Sequence, residues 1–160
     1  MRSYQVFATM SPERATAITQ ALKKDAPGMF AQALAAAAAA MKARPVYLAR
    51  QPIEKQAASI RRALARVAAS AVAEELLAVY FLECRKDLLV EWLDSLAIPH
   101  EDGSLSEEAP DAPTQAKLAK AVKDFLAADD DADRALLLAA FAAQSSIDWP
   151  DLEALIGGGP

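Results

Sequence analysis

The chain has 160 residues, a formal net charge of −5 and one cysteine, and its 54% hydrophobic content includes only 6% aromatic residues because alanine carries much of it. That length can bury a core without staples, and a lone Cys84 excludes an intramolecular disulfide or a zinc site built from several thiolates. Alanine is the best helix former, so the composition points to closely packed helices rather than a sheet.

Prolines and glycines punctuate the sequence, and the gaps between them read as helices. Residues 1–10 precede a strong helix start and are expected to be a loosely held arm, with either Met1 or Met10 as the true start. Ser11 is placed to cap a helix with Pro12 at its first position, running to about Lys24. A second helix from about Gly28 to Ala43 puts Phe30, Ala33, Leu34, Ala37, Ala38 and Met41 on one apolar face. Pro45 and Pro52 bracket Val46 to Gln51, a single helical turn or a connector.

Residues 53–98 contain neither proline nor glycine, and as one helix they would be about 69 Å long, far beyond the size of a compact domain of this length. The run must bend. Ile53, Ala57, Ile60, Leu64, Val67 and Ala71 form a heptad-like seam whose phase shifts at Val72, so breaks are expected near Ser70 and near Cys84 to Asp87, with Asp87 capping a helix from Leu88 to Leu96. An acidic loop at about 99–113 contains a turn built on Asp102-Gly103. Thr114 then caps a helix carrying Leu118, Val122, Phe125 and Leu126, another follows Asp133 to about Gln144, and Pro150 opens a last short one. Residues 157–160 read as a flexible tail.

The side chains that could carry chemistry fail on spacing. Counting an EF-hand loop from Asp129 puts Arg134 where glycine is required and Ala140 where glutamate is, so Asp129, Asp130, Asp131 and Asp133 read as the acidic start of a helix. His100 is the only histidine, and no Glu-x-x-His pair exists for a di-iron bundle. Cys84 follows the apolar run Ala78 to Leu82, where a cysteine behaves as a small hydrophobe rather than as the nucleophile of a Cys84–His100 dyad. Phosphate-loop, dinucleotide and nucleophile-elbow patterns are absent from the sequence. No cofactor or metal is therefore expected.

Charge supplies the one asymmetry. Lys42, Arg44, Arg50, Lys55, Arg61, Arg62 and Arg66 face a single acid, Glu54, whereas from Glu101 onward acids outnumber bases by thirteen to four. The basic run reads as a solvated helix face partly offset by the acidic C-terminal region, with nucleic-acid contact through it the lesser reading. Tyr80, Phe81, Trp92 and Trp149 read as core or helix-docking residues.

The sequence thus predicts an all-α, irregular or orthogonal bundle of six to seven helices forming one domain over residues 11–156. The longest apolar stretches, Ala33 to Met41 and Ala135 to Ala143, fall short of the roughly 20 residues a membrane helix needs, and the N-terminus has no apolar signal region. Together with the single cysteine this gives a cytoplasmic protein as the expectation. By elimination the expected role is a non-enzymatic interaction or scaffold protein, homodimeric or with a protein partner, and the alternative is a carrier of a small apolar ligand. Arg61, Arg62, Arg66, Tyr80, Trp92, His100 and Trp149 are the candidate residues for an interaction or ligand surface.

Overall fold

The computed structural model describes residues 1–157. The fold is all-α, 71% helical, with one small two-stranded sheet among the described residues. Among the described residues there are ten α-helices, more than the expected six to seven, with α1 at residues 3–9 and a five-residue helix at 45–49 among them. The contacts gather into two compact units, Ser3–Cys84 and, among the described residues, Met1–Arg2 with the chain from Arg85 onward.

In the first unit, α1 (Ser3–Thr9) corrects the expectation of a loose arm. Val6, Phe7 and Met10 are buried, and α1 lies against α5 (Ile53–Leu64) and α6 (Ser70–Val79). Burial of those three side chains holds a segment whose own helix propensity would be marginal at this length. Helix α2 (Pro12–Asp25) starts as the sequence predicts, with the Ser11 hydroxyl accepting from the Arg14 N–H at 3.2 Å. It packs through Ile18 and Leu22 against α5 and against α3 (Pro27–Ala40). Ala33, Ala37 and Ala38 are buried on α3, small enough to let its backbone approach α5 closely.

Two features of this unit carry no sequence flag. Lys42 closes α3 in the left-handed region, φ 55°, while the Ala43 N–H reaches back to the Ala38 carbonyl at 2.9 Å. Glycine usually holds this helix-ending position. The unit ends in a π turn, Tyr80–Cys84, continuing α6. Arg85 then leaves helical geometry at φ −135° and ψ 44°, which separates the two units close to the expected second break.

The second unit is built from α7 (Lys86–Ser95), α8 (Gln115–Ala127), α9 (Asp133–Ala143) and α10 (Pro150–Gly157). Its core is aromatic: the Trp92 ring lies 5.4 Å from that of Phe125 and 6.0 Å from that of Phe141, which in turn meets Trp149 at 5.2 Å. Thr114 caps α8 by accepting from the Lys117 N–H at 3.4 Å. Part of the expected acidic loop is a hairpin of β1 (His100–Glu101) and β2 (Ser104–Leu105), pairing His100 with Leu105. Asp102 and Gly103 turn it with φ of 52° and 92°, the positive-φ pair that tight hairpins need and Asp-Gly supplies. Of the expected tail, Gly157 ends α10 and the remaining residues lie outside those described.

Candidate functional site

The basic run of the sequence becomes the exposed corner formed by the end of α3, the five-residue α4 (Pro45–Ala49) and the start of α5. Leu48 fixes α4 to the core as its one buried side chain. The Gln56 amide N–H groups hold the connection to α5 by donating to the Ala49 and Gln51 carbonyls at 2.9 and 3.0 Å. With Leu48 turned inward, Val46 and Tyr47 stay 56% and 55% exposed, and Met41, just after α3, is 45% exposed. Met41 caps α3 with its N–H on the Ala37 carbonyl at 3.1 Å and is exposed, off the buried apolar face its spacing predicts.

Around these apolar side chains Lys42, Arg44 and Arg50 are exposed, and Lys55, Arg62 and Arg66 extend the exposed bases along α5 and past its end. None of the six makes an ion pair among the described residues. The expected offset by acidic residues is therefore not made by direct pairing. Arg61 differs, its Nη1 donating to the Met10 carbonyl at 2.5 Å, so this candidate ties α5 to the chain after α1.

Arginines of the second unit are consumed by structure. Arg134 is 5% exposed; its Nε and Nη2 donate to the two Asp129 oxygens at 2.8 and 3.2 Å, and its Nη1 donates to the Phe125 carbonyl at 3.1 Å. Nη2 also pairs with Glu91 at 3.0 Å, and the guanidinium lies 4.8 Å from the centre of the Phe125 ring. Arg85 reaches Asp131 and Asp133 at 2.6 Å each, and Asp87 at 3.2 Å. These bonds raise both guanidinium pKa values, Arg85 chiefly through Asp131 and Arg134 chiefly through Asp129. In return Arg134 holds Asp129, and Arg85 holds Asp87, below the usual carboxylate range. The aspartate cluster is thus a clasp joining the starts of α7 and α9, with Asp133 in the first turn of α9. Asp87, expected as a helix cap, lies in the first turn of α7 and serves the same clasp.

Three aromatic candidates lie where their core or helix-docking reading puts them and leave the candidate surface. Tyr80, Trp92 and Trp149 are all buried, and the Trp149 indole donates to the Pro110 carbonyl at 3.0 Å. Each is held by ring contacts to neighbouring aromatics, Tyr80 with Phe81 and the tryptophans within the second core. His100 is part-buried with both ring nitrogens engaged. Nε2 meets Asp94 at 2.6 Å, and Nδ1 accepts from the Gly103 N–H at 3.1 Å, which assigns the neutral ring's proton to Nε2. Such a ring has no free nitrogen for a general base. Cys84 is part-buried, and burial, then Asp25 and Glu83, push its thiol pKa up, away from the thiolate a nucleophile requires.

Among the described residues no group of three or more His, Cys, Asp or Glu side chains is arranged to hold a metal, and no helix is long and apolar enough to cross a membrane. An apolar void in the first unit, lined by Phe7, Ile18, Leu22 and Leu76, measures about 10 Å³, room for a water at most. Two larger spaces are open grooves with polar rims. One of about 330 Å³ lies between Glu91 and Ser95 of α7 and Lys117, Lys120 and Asp124 of α8. Another of about 300 Å³ is bordered by Asp25, Gln32, Glu75 and Glu83. Compared with protein-family models, with curated proteins and with solved structures, the chain matches none of them.

Proposed function

We propose that the protein is a non-enzymatic interaction module that docks an acidic polypeptide partner on the corner formed by α3, α4 and α5. The observation that carries this reading is the set of six exposed bases, Lys42, Arg44, Arg50, Lys55, Arg62 and Arg66, with no carboxylate paired to any of them. In the second unit, by contrast, Arg85 and Arg134 each pair with two or more carboxylates. Six unpaired like charges on one short stretch repel each other, and an acidic partner would relieve that repulsion while speeding encounter.

A polypeptide fits better than a nucleic acid. The net charge of −5 opposes a long polyanion, and Tyr47 is the single aromatic side chain within the run from Lys42 to Arg66. The experiment is fluorescence anisotropy of a labelled 16-residue acidic peptide titrated with the full chain, beside a duplex DNA of similar charge. Peptide binding that is lost in the Lys42→Glu/Arg44→Glu/Arg50→Glu variant is expected. Absence of peptide binding at low salt, or tighter binding of the DNA, would refute the reading.

A further inference from the structure

The same corner specifies more than charge. Met41, Val46 and Tyr47 lie within seven residues of one another in the chain and are each about half exposed, in a molecule that buries Tyr80, Trp92 and Trp149. Exposed apolar side chains scattered singly need no explanation, but these three share one exposed segment with the unpaired Lys42, Arg44 and Arg50, so apolar and basic groups are offered together. Protein interfaces are built that way: water is excluded at an aromatic or aliphatic centre while rim charges select and steer. Helix α4, with five residues and one buried side chain, is too short to lie in a lipid interface by itself.

We propose that the occupant of this corner is an acidic segment of a partner protein that also carries large apolar side chains, seated over Met41, Val46 and Tyr47 with its carboxylates on Lys42, Arg44 and Arg50. This rests on the acidic-partner reading and adds the apolar requirement to it. Leu48 and the Gln56 hydrogen bonds give the corner a fixed backbone, so the apolar centre is presented before the partner arrives.

The test compares two 16-residue peptides of equal negative charge, one with leucine and phenylalanine between its glutamates and one with serine at those positions. The apolar peptide is expected to bind the full chain about tenfold more tightly. A Val46→Ser/Tyr47→Ser variant should erase that difference, and because both side chains are exposed its helical circular dichroism should match the parent's. Equal binding of the two peptides by the parent would overturn this inference and leave the acidic-partner reading standing. Failure of both peptides would remove both. Tighter binding of phosphatidylserine vesicles than of either peptide, or self-association abolished by the serine variant, would assign the corner to a lipid surface or to a second copy and overturn the proposal.

Discussion

Replacing Arg134 with methionine keeps most of the aliphatic stem and removes the guanidinium from a site only 5% exposed. The buried Phe125 carbonyl then loses the donor it has at 3.1 Å, which costs about 1–3 kcal/mol. Loss of the contact with the Phe125 ring adds about 1 kcal/mol. Glu91 is half exposed and regains water, so its share is about 0–1 kcal/mol. The sum is about 3 kcal/mol, at the lower edge of the range for breaking a buried ion pair. With an m-value of about 1.5 kcal/mol/M, the urea midpoint should fall by about 2 M. Both tryptophans belong to the unit that contains Arg134, whereas Tyr4, Tyr47 and Tyr80 belong to the other, so tryptophan fluorescence reads the affected unit directly. A midpoint shift corresponding to less than about 1 kcal/mol would refute the assignment of Arg134 as a stabilising centre, since surface pairs give that much.

Three further outcomes follow from other parts of the structure. Ala97 ends α7 at φ 53°, with the Ile98 N–H bonded to the Leu93 carbonyl at 3.0 Å, so Ala97→Gly should stabilise the second unit by about 1 kcal/mol in the same urea assay. Asp87 and Asp129 have folded pKa values below their unfolded ones, so their contribution is complete above the unfolded value and is lost as pH falls through the folded one. The tryptophan-monitored midpoint should therefore drop below about pH 4, and less steeply in Arg134→Met, where Asp129 has lost its partner. Cys84, its thiol pKa raised by burial, should react with a disulfide reagent at pH 7 more slowly than free cysteine and recover the ordinary rate in urea.

Local chemistry is what the sequence made legible. Ser11 with Pro12, Thr114, Pro150 and the Asp102-Gly103 turn act within a few residues of themselves, and each appears close to its predicted place. Features set by distant contacts left no such mark. Nothing near Val6 and Phe7 announces that α5 and α6 will cover them, and the clasp joins Arg85 to residues 46 and 48 positions away. Helix ends at Lys42 and Ala97 lack the glycine that usually marks them. The candidate surface was half legible for the same reason. The charge run locates it, but whether an aromatic lies in the core or outside depends on tertiary packing, so the sequence leaves Tyr80, Trp92 and Trp149 open between core and surface and does not single out Val46 and Tyr47.

The most direct measurement is a titration of ¹⁵N-labelled protein with the apolar acidic peptide, followed by amide chemical shifts. At 17.0 kDa the chain is well suited to it. The account predicts shifts concentrated between Met41 and Arg50 and along the exposed face of α5 at Lys55 and Arg62, saturating with peptide. Shifts confined to the unit beginning at Arg85, or spectra unchanged at peptide excess and low salt, would contradict it.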